Sequence, residues 1–298
     1  MDSHFEQNAL SWGTGGAAWL KRLPKMIAEY EDHWGFKAQE PFKLNYNYVA
    51  PVELIDGTQA VIKIGYPEDR EFQSEITALQ TFNGKGACRL LQVDQPNAVM
   101  LLERITPGTA LGSIEDDDEA TRILANVMKQ LSKPLPETHN FITIDEWAAA
   151  LPKYKAEHGT DGILPAHLVE KASELFTYLI ATSRPPMLLH GDLHHHNVLL
   201  SNERRWVAID PKGVSAEPAY EVAAMIRNPY DKLKNVADLE PLLQRRIAIL
   251  SERLGFEATR IRDWGFVQCM LSAVWSTESV KGPSHALRVA EVLDTLSA

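Results

Sequence analysis

Leu188-Leu189-His190-Gly191-Asp192-Leu193-His194-His195-His196-Asn197-Val198-Leu199-Leu200, followed by Trp206-Val207-Ala208-Ile209-Asp210-Pro211-Lys212-Gly213, decides the reading of this chain. The first run carries the order H-x-D-x-x-x-x-N, and the second is an apolar strand that ends in Asp. Phosphoryl transfer needs one carboxylate to take a hydroxyl proton, and an amide with a second carboxylate to hold Mg²⁺ against a triphosphate. Asp192 is the candidate base, set in a Gly-containing turn from which it can reach an attacking hydroxyl. Asn197 and Asp210 are the candidate metal ligands, and a hairpin of residues 197–200 and 206–209 would bring them together. Mg²⁺ takes few protein oxygens and completes its shell with phosphate and water, which suits so sparse a set.

His194, His195 and His196 also invite a transition-metal reading. Adjacent side chains cannot all converge on one ion, and no cysteine joins them, so the oxygen set is preferred and a contact with substrate stays open for the histidines. Lys63 interrupts the apolar strand Ala60-Val61-Ile62-Lys63-Ile64. By itself it reads equally well as an exposed strand lysine. With the downstream motifs it reads as the lysine that contacts α- and β-phosphates, oriented by Glu75 on the following helix, or by Glu71 one turn earlier. Met100-Leu101-Leu102-Glu103-Arg104-Ile105 precedes the breaker cluster Thr106-Pro107-Gly108-Thr109. It is either a lobe connection whose backbone at Glu103 and Ile105 meets a purine edge, or a buried edge strand.

Around these motifs the chain divides. An N-terminal helix is expected over 16–34, with Pro24 kinking or restarting it. Strands follow at 44–49, 52–55 and 59–64, the last two joined at Asp56-Gly57, then a helix over 68–82 and strands at 90–93 and 98–102. Past residue 103 most of the chain reads as helical: 117–131, 143–157, 165–182, 219–227, 238–253, 258–278 and 284–296. Asp116-Asp117-Asp118 reads as a helix start. A strand-rich half and a helix-rich half predict an α+β fold, with an N-terminal lobe over 1–103 and a helical C-terminal lobe over 104–298.

Composition sets bounds on partners. With 298 residues, 45% hydrophobic and 23% charged, the chain can bury a large core and is not disordered. A formal net charge of -10 speaks against a nucleic-acid partner and suits a cationic substrate. Cys88 and Cys269 lack C-x-x-C spacing, and no apolar run is long enough to cross a bilayer. The expected address is cytoplasmic, as a monomer or homodimer away from membranes.

The pattern from His190 to Leu199, with Ile209-Asp210-Pro211-Lys212-Gly213 and then Pro218-Ala219-Tyr220-Glu221-Val222-Ala223 to Arg227-Asn228-Pro229, resembles the aminoglycoside phosphotransferases. It is most similar to their streptomycin 6-kinase and hydroxyurea-resistance kinase branch, and the likeness extends over about residues 40–230. The resemblance implies a protein-kinase-like two-lobe fold, ATP with Mg²⁺, and phosphorylation of a hydroxyl on a small molecule, cationic or polyhydroxylated. Asp192 is then the implied base, Asn197 and Asp210 the metal ligands, and Lys63 with Glu75 the phosphate-binding pair. Two departures stand out. The loop expected over the phosphates, about residues 45–48, has no glycine, which hinders close backbone approach and leaves a kinase-like binding protein with little turnover as the alternative. Glu221 stands where Asp is frequent, and is expected to anchor the catalytic loop.

Overall fold

The computed structural model describes residues 3–277 and 284–297. Two helices, α1 (Ser3–Ser11) and α2 (Gly13–Trp34), lead into β1 (Phe36–Ala38), β2 (Tyr48–Leu54) and β3 (Gln59–Ile64). Then come α3 (Arg70–Phe82), β4 (Leu90–Asp94) and β5 (Val99–Glu103). These five strands form one antiparallel sheet in the order β1-β2-β3-β5-β4.

Strand alternation explains how this sheet is clothed. Ala60, Ile62 and Ile64 of β3 join Val99 and Leu101 of β5 on a face covered by Phe5, Trp19, Leu23 and Met26 from α1 and α2. Met100 and Leu102 face the other way, onto Phe72, Ile76 and Leu79 of α3. Lys63 pairs in register with Met100, so it belongs to the α3 face.

The chain continues with β6 (Pro107–Ala110), α4 (Asp117–Leu131), β7 (Lys133–Pro134), β8 (Ile142–Thr143), α5 (Ile144–Ala148), α6 (Ala150–His158) and α7 (Ala166–Ala181). Four short strands come next: β9 (Met187–Leu189), β10 (Val198–Ser201), β11 (Trp206–Ala208) and β12 (Val214–Ala216). After a 3-10 turn over Pro218–Val222 the helices α8 (Ala223–Ile226), α9 (Tyr230–Leu233), α10 (Glu240–Leu254), α11 (Ala258–Thr277) and α12 (His285–Thr295) complete it. The small sheets β11-β10-β6 and β7-β9-β12-β8 draw their strands from before, between and after the helices α4 to α7, and carry the two motifs at their ends.

The α+β class and the sheet-then-helix order stand as expected. Several boundaries do not. The two strands expected at 44–49 and 52–55 are one, β2, running through Pro51. Pro51 is tolerated because its carbonyl takes the Gln39 N–H while its missing donor would have faced the same outer side, beyond the end of β1. The helix expected over 143–157 breaks into α5 and α6, since Pro152 removes the donor that would have bonded Ala148. Conversely α2 passes Pro24 as one helix. The 219–227 segment is a 3-10 turn and one turn of helix, and residue 278, at the end of the 258–278 helix, lies outside the described residues.

Candidate active site

Lys63 reaches from β3 toward α3, where Nζ donates to the two Glu75 carboxylate oxygens at 2.6 and 2.7 Å. It also donates to Asp210 Oδ1 at 2.5 Å. Three residues chosen from sequence thus meet from three elements. Glu75, and not Glu71, is the partner, because Glu75 lies on the buried stripe of α3 with Phe72, Ile76 and Leu79. Burial opposes the charge on Lys63, but Asp210 and Glu75 outweigh it and hold the ammonium above the usual lysine range. Burial pushes the Glu75 carboxyl up to about 7, since the lysine's pull is shared with Asp210, whose own charge repels it.

Asp210 follows β11 with φ +59°, an uncommon setting for a residue with a side chain. Burial would raise its carboxyl, yet Lys212 and Lys63 together hold it well below the carboxylate range. Its other oxygen, Oδ2, lies 3.8 Å from Lys212 Nζ. The turn is docked on α3: Ser74 Oγ donates to Gly213 O at 2.6 Å, and a Cβ at Gly213 would sit 2.7 Å from Ser74 O.

The loop that carries Asp192 hangs from Glu221, whose two oxygens accept the N–H groups of His190 at 2.6 Å and Gly191 at 3.0 Å. This is the anchoring expected of Glu221. His190 is a structural residue: its Nε2 meets Ile209 O at 2.9 Å and its Nδ1 the Asp192 N–H at 3.3 Å, a pattern that fits a neutral ring with the proton on Nε2. Burial brings its value down to about 4, which agrees. Asn197 Nδ2 donates to Asp192 O at 3.0 Å, closing the loop and leaving the amide oxygen for another partner. Asn197 O accepts from Ile209 N at 2.9 Å, and β10 and β11 pair Val198 with Ala208, so Asn197 and Asp210 end the same hairpin. Two hard oxygens at neighbouring strand ends fit a divalent cation such as Mg²⁺.

Asp192 itself is only partly enclosed, its side chain 26% exposed. Burial would raise its carboxyl, but His194, Arg227 and Lys212 hold it below the usual value, so it stands ionised and able to take a proton. Arg227 Nη2 is 3.3 Å from Asp192 Oδ1, while its Nε donates to Gln268 at 2.8 Å. Sequence spacing gave no role to Arg227, which lies 35 residues past Asp192. The three neighbouring histidines diverge: His194 lies 3.7 Å from Asp192, His196 lies 3.3 Å from Asp231, and the His195 ring is buried without a hydrogen-bond partner.

Glu103 and Ile105 sit where the sheet gives way to the helical region. Glu103 pairs with Ala60, three residues from Lys63 along β3, a separation of about 10 Å at the usual strand rise. Its carboxylate accepts the Arg89 N–H at 3.0 Å, and its own N–H donates to Arg89 O at 2.8 Å. Ile105 is half-buried against the core.

A lysine–glutamate pair from an antiparallel sheet and helix, set against an Asp-containing loop and a hairpin ending in Asn and Asp, defines a protein-kinase-like phosphotransferase. The chain matches the aminoglycoside/hydroxyurea antibiotic resistance kinase family over residues 33–280 and belongs to it. It is 30% identical to the streptomycin 6-kinase of Streptomyces glaucescens, over 91% of this chain and 88% of that one. Identity to the hydroxyurea phosphotransferase of Kitasatospora aureofaciens is also 30%, over 94% and 82%. Among solved structures, choline kinase LicA from Streptococcus pneumoniae superposes with a TM-score of 0.62 at 14% identity, covering 92% of this chain and 98% of that one. A thermostable mutant of aminoglycoside phosphotransferase APH(4)-Ia, in a ternary complex with ADP and hygromycin B, gives 0.60 at 13%, covering 90% and 95%. The fold is therefore protein-kinase-like, and the chain is a small-molecule kinase whose acceptor group is a hydroxyl. No helix among the described residues is long and apolar enough to cross a membrane.

Proposed function

We propose that this kinase uses ATP with Mg²⁺ and phosphorylates a hydroxyl of an aminoglycoside-like, streptomycin-type acceptor. The contact that joins Lys63 to both Glu75 and Asp210 carries the reading, since it gathers β3, α3 and the motif turn around one cationic point. In this reading the nucleotide lies between the sheet and the helical region, which divide after Glu103. The backbone of Glu103 and Ile105 meets the base, and Lys63, steadied by Glu75, meets the α- and β-phosphates. Asn197 and Asp210 would hold Mg²⁺, which when bound would supply charge to offset the triphosphate. Asp192 accepts the acceptor's proton as the acceptor oxygen bonds to the γ-phosphorus. The bond from that phosphorus to the bridging oxygen breaks, and its electron pair leaves on ADP.

The acceptor class is supported by streptomycin 6-kinases at 30% and 28% identity and by the net charge of -10, which favours amine- and guanidine-bearing acceptors. Incubation with ATP, Mg²⁺ and a panel of aminoglycosides, sugars and amino alcohols tests it by mass spectrometry. Streptomycin should gain the mass of one phosphate; phosphate on sugars alone would refute the acceptor class. Asp192→Ala should lower kcat on the order of 10²–10⁴-fold and leave ATP affinity nearly unchanged, since the base acts on the acceptor. Turnover at the wild-type rate in that variant would remove Asp192 from the mechanism.

A further inference from the structure

Asp210 holds two lysines at once, Lys63 on Oδ1 at 2.5 Å and Lys212 beyond Oδ2 at 3.8 Å. Lys63 has a second carboxylate in Glu75. Lys212 does not: among the described residues no side chain lies within hydrogen-bond distance of its ammonium. Asp210 is its nearest carboxylate, Glu71, Asp192 and Glu75 add their charges, and 29% of its side chain is exposed. Its backbone is fixed, because Lys212 N donates to His190 O at 2.7 Å, two residues before Asp192. The ammonium is thus held beside the carboxylate assigned to the metal, on a turn bonded to the segment that carries the base. On the kinase reading of this site, the transferred phosphoryl group passes between those two carboxylates.

The loop joining β1 to β2, residues 39–47, contains no glycine, which hinders close approach of its backbone amides to phosphate oxygens. A cation without a hydrogen-bonded partner beside Asp210 answers that deficit. Charge in the transition state spreads over the three equatorial oxygens of the γ-phosphoryl group, and a preorganised cation there lowers the barrier. A compact ammonium on a four-carbon stem can follow the group from donor to acceptor.

We propose that Lys212 is a catalytic residue that binds the transferred phosphoryl group, exchanging its place beside Asp210 for the γ-phosphate when ATP enters. The inference rests on the kinase reading given above. No atom is transferred to or from Lys212: the acceptor oxygen still bonds to phosphorus, the proton still goes to Asp192, and ADP still leaves with the electron pair. Lys212 lends charge to both sides of that exchange.

The test compares ATP with ADP in calorimetric titrations of Lys212→Met and wild type, each with Mg²⁺, alongside steady-state turnover. ADP should bind the variant within about twofold of wild type, while the preference for ATP over ADP falls about tenfold and kcat falls on the order of 10²–10³-fold, as for loss of one transition-state donor. A group that only shaped the turn would weaken ATP and ADP alike, and that result overturns the proposal. So does an unchanged preference with unchanged kcat. Lys212→Gln, which keeps most of the stem and can still hydrogen-bond Asp210, carries the same expectations if the methionine disturbs folding. Wild-type protein that binds neither nucleotide would instead sink the kinase reading itself. Wild-type transfer combined with an unaltered Lys212 variant sinks this inference alone.

Discussion

Glu221 shows how a single carboxylate can both build the site and set its response to pH. It accepts two backbone N–H groups of the loop that carries Asp192, and burial pushes its carboxyl up from 4.5 to about 7. The folded protein therefore holds this proton more tightly than the unfolded chain. The resulting stabilisation is full below 4.5 and is lost as pH rises through about 7. Glu75, raised to about 7, follows the same course, whereas His190, lowered from 6.5 to about 4, gains stability as pH rises over that interval. Subtracting one protein from another isolates Glu221. The melting temperature of Glu221→Gln relative to wild type should climb between about pH 5 and about pH 8, and a difference that stays constant would contradict the buried-carboxyl account. Of the residues proposed for the site, Asp192, Asn197 and Asp210 could be picked out in the sequence because their spacing carried them. Arg227 and Gln268 could not, because what joins them to Asp192 is the packing of α11 against the segment after β12, and no local pattern encodes it.

Between α3 and the Asp-Pro-Lys-Gly turn the fit is close enough to be tested by one methyl group. Gly213 has φ +66°, and a Cβ there would meet Ser74 O at 2.7 Å. Gly213→Ala should cost about 1–3 kcal/mol from strain and overpacking. It should also move α3, and Glu75 with it, away from Lys63, so that KM for ATP rises along with the loss of melting temperature. Loss of stability with an unaltered KM would show that α3 absorbs the methyl without shifting Glu75. Elements with strong alternation or a 3.6-residue period were readable in advance, including β3, β5, α4 and α7. Those decided by a proline's neighbours were not. Pro24 sits inside a continuous helix, Pro51 inside a strand, and Pro152 at a break, and only the surrounding hydrogen-bond partners separate the three cases.

Arg246 ties distant parts of the molecule together. Fully buried on α10, it donates to Asp117 at the start of α4, at 2.9 and 2.5 Å, and to the carbonyls of Met225, Ile226 and Asn228. Those carbonyls flank Arg227, so the same guanidinium that joins two helices also sets the cation beside Asp192. Arg246→Met leaves three carbonyls and a carboxylate short of a partner. It should cost about 3–5 kcal/mol in denaturant unfolding, in the range for breaking a buried charge pair. A cost below about 1 kcal/mol would mean that water replaces the arginine. The helical core around it was foreseeable as helices, but not as a partner of the site.

The outer face of the large sheet has a consequence for how little of this chain can stand alone. The family match begins at residue 33, so α1 and nearly all of α2 fall outside it, as does α12 at the other end. Yet Phe5, Trp19, Leu23 and Met26 are what cover Ala60, Ile62, Ile64, Val99 and Leu101. A protein trimmed to the matched region would present a bare apolar wall to water and stick to copies of itself through it. The smallest unit able to stay dispersed is therefore wider than the matched region, because the helices ahead of residue 33 act as its waterproofing.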